Sequence, residues 1–189
     1  MPFLDQLRAT PNLLTLLRLF ILPFLVIEIL DSNWRGAFAL FALAGLTDLL
    51  DGLLARWLRQ KTTLGQYLDP IADKLLLSTL FIVLTQAGLI PRYVTVLVFS
   101  RDLGILLIST LLFATGALRD FRPSQLGKLN TLVQIVGVVS VLLSKLWPAA
   151  WMSMFTGGLL RVIAVLAPVS AAQYAWIILG RIDSNEPTV

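Results

Sequence analysis

The 189-residue chain contains no histidine and no cysteine, and only 14% of its residues are charged. Without histidine and cysteine, the usual ligands of zinc, copper and iron sites are missing. A soluble domain has about a quarter of its residues charged, whereas 57% of this chain is hydrophobic. The composition therefore favours a membrane protein, in which each ionisable residue inside a span is costly and points to a function.

Six apolar stretches approach the length of about 20 residues that a membrane-spanning helix needs. Short polar or proline-containing segments separate them, and no linker, repeat or low-complexity stretch is present. We therefore predict an all-α integral membrane protein, one domain over residues 1–189, with a juxtamembrane segment at 1–11 and a short tail at 181–189. The six predicted transmembrane helices cover roughly 13–30, 36–57, 69–90, 93–117, 129–147 and 155–179.

Lysine and arginine are unevenly distributed between the two sides of this topology, and that imbalance sets membrane orientation. The side that carries both termini has the larger set: Arg8, Arg56, Arg59, Lys61, Arg119, Arg122, Lys128 and Arg181. The other side has Arg35, Arg92, Lys145 and at most Arg161. We therefore expect cytoplasmic termini. The scattered basic residues suit anionic headgroups and phosphates rather than nucleic acid.

The first twelve residues do not resemble a targeting segment. They lack the basic start, apolar core and small-residue cleavage site of a secretory signal, and no Arg- and Ser-rich transit segment precedes Pro11. The first apolar run is therefore expected to be a retained span. The bacterial inner membrane is the expected location.

Four carboxylates interrupt the second and third apolar stretches. Helical positions three, four and seven apart share a face. Two stripes follow: Asp48, Asp51, Gly52 and Ala55 on one helix, and Gly65, Asp69 and Asp73 on the next. Packed together, the helices can bring all four carboxylates to one spot, where like charges repel strongly. Only Arg56 and Lys74 lie near enough in sequence to offset them. The alternative is a pair of helix ends with solvated carboxylates, which would need no such spacing.

We predict that divalent cations neutralise this cluster. Carboxylates, water and phosphate oxygens suit hard ions such as Mg²⁺, Mn²⁺ or Ca²⁺. Paired metals about 4 Å apart can clamp an in-line displacement at phosphorus. The small residues Gly52, Ala55 and Gly65 would let a bulky ligand approach the helix backbone, although close helix packing also accounts for them.

From Asp48 to Asp73 the chain reads D-x2-D-G-x2-A-R-x8-G-x3-D-x3-D. This pattern resembles, at every fixed position, the signature of the CDP-alcohol phosphotransferase family. The resemblance implies a six-helix membrane enzyme that transfers a substituted phosphate from a CDP-linked donor to an alcohol and releases CMP. It further implies a site with two Mg²⁺ or Mn²⁺ ions, a homodimer, and Asp73 as the base that deprotonates the acceptor hydroxyl. The implied metal ligands are Asp48, Asp51, Asp69 and Asp73, and the implied CDP-lipid contacts are Gly52, Ala55, Arg56 and Gly65.

The first predicted span opens with the pattern P-N-x-x-T-x-x-R, which includes Asn12, Thr15 and Arg18. Asn12 could simply cap the helix. Arg18 lies about 9 Å into the span at 1.5 Å per residue, and it could snorkel to the interface. The family resemblance includes this opening beside the nucleotide site. It places all three residues near the cytidine and diphosphate.

Two later stretches bear on the acceptor. Arg101 and Asp102 are neighbours in sequence and so point about 100° apart on a helix. We therefore predict separate partners for them. Arg101 could form a structural ion pair or contact the substrate. Lys128 opens the fifth span, where it would face a phosphate as a compact charge or lie solvated at the interface. Asn130 follows two residues later. We predict Arg101, Lys128 and Asn130 as acceptor-binding residues.

The resemblance is closest to two branches that use CDP-diacylglycerol. One is cardiolipin synthase, whose acceptor is phosphatidylglycerol, and the other is phosphatidylglycerophosphate synthase, whose acceptor is glycerol-3-phosphate. Ser100-Arg101-Asp102 is similar to the first branch, and Asn130 stands where the second tends to have a lysine; Gly127 is similar to the second. We expect cardiolipin synthase. The alternatives are phosphatidylglycerophosphate synthase and, from other classes, a cation transporter or an inactive scaffold.

Overall fold

The computed structural model describes the backbone of residues 10–57, 63–114 and 125–184, and the side chains of residues 12–50, 71–108, 110 and 125–178. These residues form six helices and no strand. The helices are α1 (Thr10–Leu30), α2 (Trp34–Trp57), α3 (Thr63–Gln86), α4 (Arg92–Ala114), α5 (Gln125–Leu146) and α6 (Ala150–Ser184). The prediction of an all-α fold with six helices is confirmed.

Three of these helices are long and apolar enough to cross a membrane, within the part of the chain that the structure describes. They comprise Asn12–Leu30 of α1, all of α5, and Ala150–Ile178 of α6. Many large apolar side chains also face outward, among them Phe20, Val96, Leu106 and Trp176, which are 61–80% exposed. An apolar outer surface of this extent suits lipid rather than water. The protein is therefore an integral membrane protein.

The third predicted span is displaced in the structure. It begins at Thr63 rather than near residue 69, and it ends at Gln86 rather than near residue 90. The early end has a local cause, because Gly88 adopts a φ of 74° that side-chain-bearing residues rarely tolerate. This glycine closes the helix in a turn, where the Leu89 N–H donates to the Leu84 carbonyl over 2.9 Å.

One compact unit comprises residues 1–89 and 142–148. Within it, α1 packs against both α2 and α3. Asn33 caps α2, because its side-chain oxygen accepts from the Gly36 N–H over 3.3 Å. The apolar part of this core is built from residues at helical spacing: Leu25 and Ile29 of α1, Ala37, Phe41 and Ala44 of α2, and Leu76, Leu80 and Leu84 of α3.

A second compact unit comprises residues 90–141 and 149–189. In this unit α4 packs against α6. The N-terminal part of α5 meets α6 where Gly137 faces Ile163: a Cβ added to Gly137 would lie 2.6 Å from Ile163 Cδ1. Close by, the Thr156 hydroxyl donates to the Ser140 carbonyl over 3.2 Å. The assignment of residues 1–189 to a single domain stays a prediction.

The turn after α3 supplies a test of the backbone geometry. Gly88→Ala should lower the free energy of unfolding by about 1 kcal/mol, because alanine resists a positive φ. The measurement is denaturant unfolding in detergent micelles.

Gly104→Ala in α4 is the matched control, since neither glycine has an atom within 4 Å of an added Cβ. Gly104 lies inside a helix, where alanine should stabilise by up to about 1 kcal/mol. Equal effects of the two substitutions would contradict a positive φ at Gly88.

Candidate active site

One face of α1 changes from polar to apolar along its length. Its buried positions recur every three or four residues and continue from Asn12, Thr15 and Arg18 to Leu25 and Ile29. Asn12 is 1% exposed, Thr15 0% and Arg18 1%. The apolar half of this face packs like an ordinary core, so the polar half is held inside the protein by the same helix packing.

Arg18 joins the two helices that carry the acidic motif. Its Nη2 lies 2.8 Å from Asp48 Oδ1 on α2, and its Nη1 donates to Asp73 Oδ1 on α3. One guanidinium therefore contacts a carboxylate from each stripe. The planar fork of arginine suits two such contacts at once. The snorkelling alternative for Arg18 is wrong, because the side chain is buried and paired.

The location of Arg18 differs from the sequence-based expectation in one respect. Sequence distance indicated Arg56 and Lys74 as the cations nearest the carboxylates, whereas the guanidinium that reaches Asp48 and Asp73 comes from α1. An arginine this far inside an apolar span needs a carboxylate partner, and that need was the available signal. The capping alternative for Asn12 is also wrong, since α1 already begins at Thr10.

Asp48 and Asp73 fit a hard divalent cation as far as they are described. Both carboxylates converge on the same guanidinium, yet their side chains are 48% and 46% exposed. Oxygen donors that are close together and open to a ligand are the kind that Mg²⁺ and Mn²⁺ prefer. Among the described side chains, no group of three acidic residues forms a metal site. The side chains of Asp51 and Asp69 lie outside that set, so the four-carboxylate site stays a prediction.

Backbone geometry places the remaining motif residues on the same two helices. Asp51, Gly52, Ala55 and Arg56 lie on α2, whereas Gly65 and Asp69 lie on α3. Asp51 follows Asp48 by three positions and Asp69 precedes Asp73 by four, so each pair shares a helix face. The side chains of these six residues lie outside the described set. The metal contacts of Asp51 and Asp69 stay predictions, and so do the CDP-lipid contacts of the other four residues.

Arg101 is held in a buried network of the second unit. Its Nη1 lies 2.6 Å from Asp102 Oδ1, and its Nε donates to the Ser170 hydroxyl of α6 over 3.1 Å. Arg101 has a separate partner in Ser170, and it also contacts Asp102, because the long arginine side chain folds back to its neighbour. The structure shows the ion pair, and an acceptor contact of Arg101 stays a prediction.

Lys128 and Asn130 do not share a surface. Lys128 is exposed near the start of α5, whereas Asn130 is 0% exposed. Positions two apart on a helix point in different directions. The residue that accompanies Asn130 is instead Gln134, one turn further on and also 0% exposed. Gln134 was not among the residues predicted from the sequence, although a second carboxamide four residues after Asn130 in an apolar helix was the available signal.

The pairing of Arg18 predicts a specific loss of stability. Arg18→Met should lower the free energy of unfolding of the metal-free protein by about 1.5–3 kcal/mol, the range for hydrogen bonds to charged groups. The half-exposed carboxylate partners favour the lower part of that range. Added Mg²⁺ or Mn²⁺ should restore part of the lost stability, because the metal ion then replaces the guanidinium in neutralising Asp48 and Asp73.

Arg35→Met is the matched control for this prediction. Arg35 is an exposed arginine on α2 in the same unit, and surface substitutions usually change stability by less than about 0.5 kcal/mol. Thermal unfolding with and without metal measures both variants. The same loss in Arg35→Met as in Arg18→Met would overturn the assignment of a special role to Arg18.

Comparison with known proteins shows which family this chain is similar to. The family model for CDP-alcohol phosphatidyltransferase matches residues 8–176. Cardiolipin synthase (CMP-forming) of Rattus norvegicus is 40% identical over 150 residues, which cover 70% of this chain and 49% of that protein. The Homo sapiens enzyme of the same name is 37% identical over 150 residues, with the same coverage.

A bacterial relative matches along more of its own length. CDP-diacylglycerol–glycerol-3-phosphate 3-phosphatidyltransferase of Bacillus subtilis is 34% identical over 152 residues, which cover 72% of this chain and 77% of that protein. The chain spans about half the length of the two cardiolipin synthases. The family match begins before α1 and ends within α6, so it includes most of the chain. The chain therefore belongs to the CDP-alcohol phosphatidyltransferase family.

Proposed function

We propose that the protein transfers a phosphatidyl group from CDP-diacylglycerol to an alcohol and releases CMP, with phosphatidylglycerol as acceptor and cardiolipin as product. The observation that carries this proposal is the convergence of Asp48 and Asp73 on buried Arg18. It brings together the first and last carboxylates of the acidic motif in a membrane chain of the CDP-alcohol phosphatidyltransferase family. The relatives named cardiolipin synthase support the choice of acceptor.

The acidic motif would hold the metals that this family resemblance implies. Asp48 and Asp51 on α2, with Asp69 and Asp73 on α3, would supply the hard oxygen ligands. Two Mg²⁺ or Mn²⁺ ions, when bound, withdraw charge from the diphosphate and stabilise the departing CMP. Asn12 and Thr15, on the buried polar face of α1, face the nucleotide end of the donor. Gly52, Ala55, Arg56 and Gly65 line its path along α2 and α3.

Asp73 acts as the general base in this mechanism. It takes the proton from the acceptor hydroxyl as the new oxygen–phosphorus bond forms and the bond from phosphorus to the CMP oxygen breaks. The chain has no histidine, so a carboxylate is the natural base. Arg18 holds the Asp73 carboxylate toward Asp48, which fixes the base in the motif before the acceptor arrives.

The membrane arrangement forms part of the same proposal. The excess of lysine and arginine on the side of the termini supports cytoplasmic termini and a cytoplasmic active site. A cytidine nucleotide is available on that side. A location in the bacterial inner membrane and a homodimer complete the proposal.

A second acceptor is favoured by a specific observation. The Bacillus subtilis relative, whose name specifies glycerol-3-phosphate, is covered to 77% of its length, more than the cardiolipin synthases are. Phosphatidylglycerophosphate synthase is therefore the alternative function. The donor, the metals and the base would be the same in both reactions.

Substitution of the base should separate chemistry from binding. Asp73→Asn should lower kcat by at least about 10²-fold, the lower end for loss of general acid–base catalysis, while CDP-diacylglycerol binding remains measurable. The assays are CMP release and equilibrium binding of labelled donor to protein in detergent. Normal turnover in Asp73→Asn would exclude Asp73 as the base.

The acceptor can be identified from the lipid product. Purified protein would receive labelled CDP-diacylglycerol, Mg²⁺ or Mn²⁺, and either phosphatidylglycerol or glycerol-3-phosphate, and thin-layer chromatography would separate the products. We expect cardiolipin from phosphatidylglycerol and no product from glycerol-3-phosphate. Phosphatidylglycerophosphate from glycerol-3-phosphate alone would establish the alternative function. Absence of CMP release with either acceptor would contradict both.

A further inference from the structure

One guanidinium contacts the two carboxylates that begin and end the acidic motif. Arg18 Nη2 lies 2.8 Å from Asp48 Oδ1, and Arg18 Nη1 donates to Asp73 Oδ1. All three residues belong to the same compact unit. In both carboxylates Oδ1 is the oxygen that contacts arginine. Arg18 therefore already uses part of the oxygen set that Asp48 and Asp73 could offer to a divalent cation.

The three side chains differ in burial, and this difference fixes where the positive charge lies. Arg18 is 1% exposed, whereas the side chains of Asp48 and Asp73 are 48% and 46% exposed. Arginine stays charged in proteins, and a buried charge needs its partners. The guanidinium is therefore a permanent charge on the buried side of the two carboxylates, while their exposed parts remain accessible to a ligand.

A second cation at these carboxylates would have to share them with Arg18. Like charges a few ångströms apart repel, and partial burial strengthens the repulsion relative to water. Arg18 also compensates one of the two negative charges of Asp48 and Asp73, so it weakens their attraction for an incoming cation. Both effects lower the affinity of these carboxylates for Mg²⁺ or Mn²⁺.

We propose that Arg18 competes with the divalent metal for Asp48 and Asp73 and so makes tight metal binding depend on the diphosphate of the donor. This inference rests on the proposed function. A diphosphate adds oxygen ligands for the metal, and its negative charge offsets the repulsion between the metal and Arg18. By linkage, metal and donor then raise each other's affinity by the same factor. Arg18 is a residue that sets metal affinity, whereas Asp73 remains the base.

A purely structural role of Arg18 has the opposite consequence. If the guanidinium only held the two carboxylates together for the metal, its removal would leave them apart and would weaken metal binding. If it competes with the metal, removal of its charge strengthens metal binding in the absence of donor. The direction of the change therefore distinguishes the two roles.

The first measurement is the affinity of the wild-type protein for Mn²⁺ in detergent micelles. Electron paramagnetic resonance of unbound Mn²⁺ gives the dissociation constant with and without CDP-diacylglycerol, and no acceptor is added. CDP-diacylglycerol should lower the dissociation constant for Mn²⁺ at least about tenfold, within the usual range of coupling between two binding events. Equal affinities with and without the donor would overturn the dependence on diphosphate.

The variants Arg18→Gln and Arg18→Lys separate charge from structure. Glutamine has no charge but keeps N–H donors for the carboxylates, so folding should persist, and thermal unfolding verifies this. Without donor, Arg18→Gln should bind Mn²⁺ at least about tenfold more tightly than the wild type, because the repelling charge is gone. The effect of CDP-diacylglycerol on Mn²⁺ affinity should shrink accordingly. Lysine keeps the charge, so Arg18→Lys should stay close to the wild type in both respects.

Arg35→Gln is the matched control for the removal of one positive charge. Arg35 is exposed on α2 and precedes Asp48 by 13 residues, which is about 20 Å along a helix. Charges at that distance are largely screened, since the Debye length is about 8 Å at physiological salt. Arg35→Gln should therefore bind Mn²⁺ like the wild type. A gain in affinity equal to that of Arg18→Gln would assign the effect to net charge and would overturn the inference.

The remaining outcomes separate this inference from the proposed function. If the wild-type protein releases CMP but Arg18→Gln binds Mn²⁺ no more tightly than the wild type, the competition is wrong while the phosphatidyltransferase stands. The same conclusion follows if Arg18→Lys and Arg18→Gln change Mn²⁺ affinity equally, because charge is then not the cause. If the wild-type protein neither binds Mn²⁺ with CDP-diacylglycerol nor releases CMP, the proposed function itself fails.

Discussion

The contact of one buried guanidinium with two carboxylates is the constraint on which the first unit depends. A charged side chain at 1% exposure would be untenable without partners. Asp48 and Asp73 supply them from α2 and α3. Because Arg18 belongs to α1, the pairing fixes three helices relative to one another at a single point. About half of each carboxylate side chain stays exposed. The two side chains are therefore accessible to a ligand while Arg18 holds them in place.

The same arrangement accounts for the mixed interior face of α1. Leu25 and Ile29 bury apolar surface against α2 and α3, and this packing carries Asn12 and Thr15 into the interior on the same face. The family to which the chain belongs needs polar groups inside a membrane protein, where they are costly. The apolar packing of the same rigid helix offsets that cost. It also positions the polar groups without loops.

The fold could be predicted from the sequence because long apolar runs separated by short polar breaks are typical of membrane-spanning helices. The two acidic stripes could be predicted as well, since helical periodicity alone puts Asp48 with Asp51 and Asp69 with Asp73. The contact of Arg18 with two of these residues was missed, because pairing between distant helices depends on tertiary packing. Proximity in sequence grouped Lys128 with Asn130, whereas the helix separates them and associates Asn130 with Gln134. The end of α3 at Gln86 followed from one backbone angle at Gly88, a detail that hydropathy does not encode.

The graded face of α1 also limits how its sequence can change in length. Each residue advances a helix by about 100°, so one residue inserted between Arg18 and Leu25 would turn the polar half of α1 away from the direction of its apolar half. Either the guanidinium would then face lipid, or the leucine and isoleucine would leave the core. A substitution within this stretch changes one side chain, and its neighbours can repack around it. A single insertion or deletion rotates every following side chain, and local repacking cannot compensate for that. The angular register of its side chains, rather than its composition, is therefore the property of α1 that natural variation and protein engineering must preserve.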